Sequence, residues 1–377
     1  MSNWPGKYVI GLTGNIATGK SVVRKMLEHL GAYSIDADAL SHRAIAKGAP
    51  GYRPTVEAFG KWILDESGEI DRARLGHLVF SDPEALQQLE AIIHPLVEGA
   101  IDLLIQRASQ PIIVIEAIKL LEGKLAGACD AIWVTDAQES VQKARLMKKR
   151  GLSEEEALQR IRTQPPQELK RAAASVVIQN NGPFDETWKQ VVAAWKTISS
   201  VTDTRPLVMR KAAQGEFSVQ RGRPRDSASI ADLVNRLNDG ASSQSQDDIM
   251  AAFGEKAFLL LMADQKLVGL VGWQVENLVA RTADLYLDPA VPAEKGLKIL
   301  VSEVERASRD LQCEASLFFL PPRLAEQELI WKELGYHRRN PQTLGIQAWQ
   351  DAAKESQPPN TILLFKQLRQ DRVLRPI

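Results

Sequence analysis

Cysteine is almost missing from this chain, with only Cys129 and Cys313 among 377 residues. Far apart in sequence, they suggest neither a disulfide framework nor a zinc site. An excess of either charge is missing too, because 47 Lys and Arg balance 47 Asp and Glu. Without an overall basic field, neither nucleic acid nor an anionic membrane is an expected partner. No uninterrupted apolar run approaches a membrane span, and the opening MSNWPGK has no apolar signal core. The expected location is the cytoplasm. What is present is ordinary for a globular chain, 44% hydrophobic and 25% charged, and the length predicts two domains.

The first half is organised around residues 8–21, YVIGLTGNIATGKS. Tyr8 to Leu12 is long enough for one buried strand. Gly14-Asn15-Ile16-Ala17-Thr18-Gly19-Lys20-Ser21 fits G-x-x-x-x-G-K-[ST], and an apolar helical pattern with Val22, Val23, Met26, Leu27 and Leu30 follows, stopped by Gly31. Strand, glycine-punctuated loop and helix N-terminus predict a phosphate cradle, with backbone N–H groups and the helix's positive end turned to the ligand. Lys20 would reach the β- and γ-phosphates of a nucleotide, and the Ser21 hydroxyl would ligate Mg²⁺.

Further acids end further strands. Ser34-Ile35 runs into Asp36-Ala37-Asp38; Asp38 either takes a proton from an attacking hydroxyl, holds the metal through water, or caps a helix over residues 39–46. Residues 54–108 read as consecutive helices, with Asp82-Pro83 a helix start and His94-Pro95 an interruption. His94 is either a packed structural residue or part of an acceptor-binding module. Pro111 to Ile115 ends in Glu116, and Ala131 to Thr135 ends in Asp136. Either acid could hold Mg²⁺ from the end of its strand, Glu116 being the candidate ligand. A helix over 140–150, rich in cations and carrying Arg145 and Arg150, and a second over 153–162 predict a lid that neutralises phosphoryl charge. Val176 to Ile178 precedes Gln179-Asn180-Asn181-Gly182, a polar turn suited to a base edge, and residues 184–198 close the unit as an amphipathic helix.

In GLTGNIATGKS, GAYSIDADALSHR, LEAIIHPLV, LLEG and VVIQNNG, among other words in order, residues 7–200 resemble the dephospho-coenzyme A kinases. The resemblance implies a P-loop three-layer parallel sheet with a helical acceptor module and a lid. It also implies transfer of the γ-phosphate of ATP to the ribose 3′-hydroxyl of dephospho-CoA. It places ATP on residues 14–22 with Arg150 and Asn180, and gives catalytic roles to Asp38, Lys20 and Arg145. Asp36, Asp38 and His94 would face the acceptor. Two departures stand out: Ile118-Lys119 where the family has Pro-Leu, and Asn15 where glycine is usual.

A polar linker, residues 199–206, separates a second unit, 207–377, from the first, 1–203. Its order is strand, two helices, three strands, a helix from Glu294 to Leu311, a strand, a helix over 324–334 and a late strand, with a mobile loop at 241–248. That order resembles the α+β GNAT acyltransferase fold. The loop opening the long helix, Pro292-Ala-Glu-Lys-Gly-Leu297, lacks the glycines that would free N–H groups for a pyrophosphate. A non-catalytic domain is expected, separable from the kinase at the linker. The alternatives are another small-molecule kinase, or a bifunctional or regulatory protein whose second half binds CoA or a partner.

Overall fold

The computed structural model describes residues 3–199, 217–238, 243–371 and 373–374. Most of the expected linker and the start of the expected mobile loop lie outside them.

Five short strands form the first sheet: β1 (Tyr8–Thr13), β2 (Tyr33–Asp36), β3 (Ile112–Glu116), β4 (Ala131–Asp136) and β5 (Val176–Gln179). They pair in the order β2-β3-β1-β4-β5, and every pair is parallel. Alternate side chains bury opposite faces. Val9, Ile113 and Ile115 pack with Leu40 of α2 (Ala37–Ala44) and Leu104 of α5 (Pro83–Arg107). Ile10, Leu12 and Val114 pack with Met26 of α1 (Lys20–His29) and Val191 of α10 (Phe184–Ser199). The expected three layers are present.

Between β2 and β3 lies the helical insertion, α3 (Tyr52–Phe59), α4 (Arg72–Ser81) and α5, gathered on a separate core of Ile45, Phe59, Ile63, Leu75 and Leu89. Asp82 caps α5 through its carboxylate, with Pro83 in the first turn. One expectation is corrected here. Pro95 does not interrupt α5, a helix of 25 residues that runs through it because its later turns bury Val97, Ile101, Leu104 and Ile105 against the sheet. After α6 (Leu125–Ala128) come the lid helices α7 (Glu139–Arg150), α8 (Glu154–Arg162) and α9 (Gln167–Ala173). Gly151 closes α7 in the left-handed region, and the Ser153–Glu156 capping box opens α8 as expected.

The second sheet contains β6 (Phe217–Arg221), β7 (Ala257–Ala263), β8 (Lys266–Glu276), β9 (Val279–Leu287), β10 (Ala315–Leu320), β11 (His337–Arg338) and β12 (Ile362–Gln367). The order is β11-β12-β10-β9-β8-β7-β6, antiparallel except for the parallel pair β9 and β10. Asp264 and Gln265 make the β7–β8 turn, both with positive φ, as a two-residue hairpin requires. The helices are α11 (Ser227–Leu237), α12 (Gln246–Ala252), α13 (Ala293–Asp310), α14 (Pro322–Ala325), α15 (Glu328–Glu333) and α16 (Gln347–Ser356). α13 covers one face of the sheet over Leu261, Val271, Leu285 and Phe318; α11, α12 and α16 cover the other. The expected single helix over 324–334 is two short ones, and β11 and α16 were not expected. The mixed sheet between helices is the expected α+β arrangement.

Candidate active site

The phosphate loop is held from behind. Arg145 donates to Ala17 O at 3.1 Å and to Asn180 O at 2.9 Å, while Asn180 Nδ2 donates to Thr18 O at 2.9 Å. In a trans peptide the carbonyl and the following N–H point oppositely, so binding these carbonyls turns the N–H groups of Thr18 and Gly19 away from Arg145 and Asn180. Two glycines make this closeness feasible. A Cβ on Gly14 would lie 2.3 Å from Thr135 Oγ1, and one on Gly19, whose φ is +95°, would lie 1.9 Å from Asn180 Nδ2. At the start of α1, the N–H groups of Lys20, Ser21 and Val22 have no intrahelical acceptor. The side chain of Lys20 folds back to Gly14 O at 2.9 Å and Asn15 O at 3.2 Å, and burial lowers its pKa.

Parallel register brings the acids together. Asp36 of β2 and Leu12 of β1 both pair with Glu116 of β3, so three strand ends open beside the loop. Glu116 is 5% exposed; it accepts from Ser21 Oγ at 3.3 Å and forms an ion pair with Arg24 Nε at 2.6 Å. Burial raises its pKa, against the pull of Arg24. Asp136, the other strand-end acid, instead pairs with Arg171 at 3.1 Å and accepts from Gln179 at 3.0 Å. Of the two, Glu116 is therefore the one that touches the loop's hydroxyl.

The cap, one of the alternatives for Asp38, belongs instead to Asp36, whose Oδ1 accepts from Ala39 N at 2.8 Å. Asp38 lies in the first turn of α2, its Oδ2 accepting from Ile118 N at 3.1 Å. Burial raises its pKa, that hydrogen bond opposes the rise, and both Lys20 and Lys170 attract its charge. Lys170, buried on α9, donates to Ile118 O at 2.9 Å. Burial lowers its own pKa.

His94 is exposed on α5, which corrects its reading as a packed core residue. Arg150 is exposed at the end of α7, near enough to Lys20 to repel its charge. Asn180 is 5% exposed, and its amide is engaged with Thr18, Thr187 and Arg145. It braces the loop. The neighbouring Asn181 accepts from Gln138 N at 2.7 Å. Between loop and lid opens a cleft of about 640 Å³, lined by Asn15, Asp136, Gln138, Gln164, Arg171 and Gln179, among others.

The geometry suits phosphoryl transfer: a glycine loop at a helix start, with a buried lysine and the acids Glu116 and Asp38 gathered beside it. A model of the dephospho-CoA kinase family matches residues 8–186. A dephospho-CoA kinase of Geobacter metallireducens is 44% identical over 191 residues, covering 50% of this chain and 95% of its own length. The chain belongs to the dephospho-CoA kinase family. A crystal structure of a Thermus thermophilus protein is 34% identical, with a TM-score of 0.47, over 51% of this chain and 97% of its own. A coenzyme A complex of the PaiA N-acetyltransferase from Thermoplasma acidophilum is 13% identical, with a TM-score of 0.32, over 40% of this chain and 99% of its own.

Four residues of this kinase-family site carry no signal in the sequence reading: Arg24, Gln164, Gln167 and Lys170. Gln167 Oε1 accepts from Asn15 N at 3.1 Å, and Gln164 Oε1 from Ile16 N at 2.6 Å. Lid glutamines thus sit on loop donors that a phosphate oxygen would need. Only the spacing of Arg24, one helical turn after Lys20, could have marked a residue here.

Proposed function

We propose that this chain transfers the γ-phosphate of ATP to the ribose 3′-hydroxyl of dephospho-CoA, giving coenzyme A and ADP. The observation that carries the reading is the meeting of Lys20, Ser21, Glu116 and Asp38 at the carboxyl ends of β1, β2 and β3, in a chain of this family.

In the proposed reaction the acceptor oxygen forms a bond to the γ-phosphorus, the bond from that phosphorus to the β,γ-bridging oxygen breaks, and the hydroxyl proton passes to ionised Asp38. Residues 14–22 hold the phosphates. Lys20 leaves Gly14 O for the β- and γ-oxygens, where its charge is worth most as negative charge builds. Arg145 and Asn180 act from behind the loop by fixing the direction of its N–H groups, and the lid cleft between Gln138, Arg171 and Gln179 takes base and ribose. Asp36 and the exposed His94 belong to the acceptor side. Arg150 lies on the lid.

The residues fit Mg²⁺. Ser21 and Glu116 offer hard oxygen donors, and among the described residues no cluster of three or more His, Cys, Asp or Glu could hold a metal alone. An ion held by these two residues, phosphates and water matches the habits of magnesium. When bound, it would offset charge on the β- and γ-phosphates.

The second half is read as non-catalytic. Pro292 caps α13 and brings no N–H. Gly296 is buried inside the helix, where a Cβ would lie 2.7 Å from Leu287 Cδ1, so this glycine serves helix–sheet contact. CoA remains the proposed ligand if this half has one. The cytoplasm remains the proposed location; among the described residues no helix is long and apolar enough to cross a membrane.

The test is an acceptor panel in a coupled ADP assay with and without Mg²⁺. Dephospho-CoA should be the preferred acceptor by a wide margin. Equal turnover of unrelated alcohols, or none of dephospho-CoA, would discard the reading.

A further inference from the structure

The helix that carries the site's acids is fastened at its far end to the second half of the chain. α2 opens with Asp36 as cap, holds Asp38 in its first turn and has Arg43 in its last. The Arg43 guanidinium leaves the first half altogether. Its NH1 donates to Asn277 O at 3.0 Å, and its NH2 lies 2.7 Å from each carboxylate oxygen of Glu314. Glu314 is 1% exposed, so this is a desolvated ion pair.

Glu314 is itself fixed by backbone. Its N–H donates to Leu278 O at 2.7 Å, and its carbonyl accepts from Leu368 N at 2.8 Å. Beside it, Gln312 Nε2 donates to Leu104 O of α5 at 2.8 Å. Leu278 and Leu311 pack against the core that contains Leu40 of α2. A cavity of about 40 Å³ separates the two halves along this seam, bordered by Arg24, Asp36, Ala39, Arg43 and Glu276. The seam therefore runs from the Arg43–Glu314 pair to the cap of the catalytic helix and to the arginine that holds Glu116.

We propose that Glu314 is a positioning residue of the kinase, setting through Arg43 the angle of α2 and hence the place of Asp38 beside Ile118 N. The proposal rests on Asp38 as the acceptor's base. With NH2 held between both oxygens of a buried carboxylate and NH1 on Asn277 O, the guanidinium is fixed, and the helix it ends is only two turns long, so a tilt at Arg43 moves the first turn. Misplacement of a reacting group by about 1 Å can cost roughly a hundredfold in rate. Half of this chain spans 95% of the Geobacter metallireducens relative, so the brace belongs to the two-part chain.

The test uses the full chain. Glu314→Gln should lower kcat and raise the KM for dephospho-CoA, together by about tenfold or more in kcat/KM, while the KM for ATP stays within about twofold. Arg43→Lys, which keeps the charge but loses the fork, should shift the same parameters and serves if Glu314→Gln does not fold. Joint replacement by Arg43→Met and Glu314→Leu should cost less than the sum of the single losses, because no charge is left buried alone. A lowered Tm with both substrates' kinetics unchanged would make the pair glue between the halves and overturn the proposal. An unchanged rate in Asp38→Asn would overturn the base reading and this proposal with it. A slow Asp38→Asn beside an unaltered Glu314→Gln would overturn this proposal alone.

Discussion

At the scale of single residues, Lys20 and Asp38 are distinguished by what each does now and what each must do with substrate. Lys20 spends its charge on two loop carbonyls, bonds it must trade for phosphate. Lys20→Ala should keep the fold and lose about two or more orders of magnitude in kcat, the scale of a lost transition-state contact. Near-normal turnover in a coupled assay would remove the loop from the chemistry. Asp38 takes a proton only when ionised, and burial raises its pKa. kcat/KM should therefore fall as pH drops through a value above the usual aspartate range, and Asp38→Asn should both slow the reaction and erase that acid limb. Because Asp36 is the cap, the same change at Asp38 should leave thermal stability nearly untouched. A variant that melts early but turns over normally would reverse these assignments.

Loop and helix start form one element with the turn after β5, and their contact is the narrowest place in the site. Gly19 stands at φ +95° against the Asn180 amide. Gly19→Ala adds both a left-handed strain, on the order of 1–2 kcal/mol, and a clash with a side chain that is itself held by Thr187 and Arg145. The expected result is a lower Tm and weaker ATP binding by calorimetry. Asn180→Ala in the same chain should recover part of the stability by removing the clash, without recovering the affinity, since Thr18 O then loses its donor. Additive losses from the two changes would mean that the contact is not the cause.

On the scale of the whole molecule the two halves are joined by side chains, which changes the expectation that the kinase is separable at the linker. Arg43 with Glu314 is one joint, and His29 is another. Its Nε2 lies 2.7 Å from Phe253 O, with the rings of Phe253 and Trp188 edge-on to it. Burial pushes its pKa down to about 4, with Arg221 adding repulsion. The folded protein thus holds His29 neutral where an unfolded chain would take a proton at the ordinary value near 6.5. Stability from this group is complete above that value and is lost as pH falls toward 4, by up to about 3 kcal/mol. Urea midpoints should drop between pH 7.5 and pH 5, and His29→Gln should flatten that dependence. An equal drop in the variant would assign the acid sensitivity elsewhere.

Features set by neighbours along the chain were legible before folding. β1 and the phosphate loop follow from an apolar run and two glycines, α5 from its Asp-Pro start, α8 from its capping box, and the β7–β8 hairpin from a polar turn. These signals act over a few residues, so one sequence contains them in full. The choice between Glu116 and Asp136 is tertiary: both strands flank β1, but Glu116 reaches the Ser21 hydroxyl whereas Asp136 turns to Arg171 and Gln179. The tertiary structure also decided that Asp36, not Asp38, is the cap, that Asn180 braces the loop, and that Pro95 rides inside a helix whose burial outweighs the lost hydrogen bond. α16 escaped notice because it buries little beyond Trp349, Ala352 and Ala353, a pattern too weak to read locally. Gln164 and Gln167 meet the loop from about 150 residues away, and Glu314 meets Arg43 across a separation of 271. Contacts of that range leave no local pattern, since chain folding and not spacing brings their partners together.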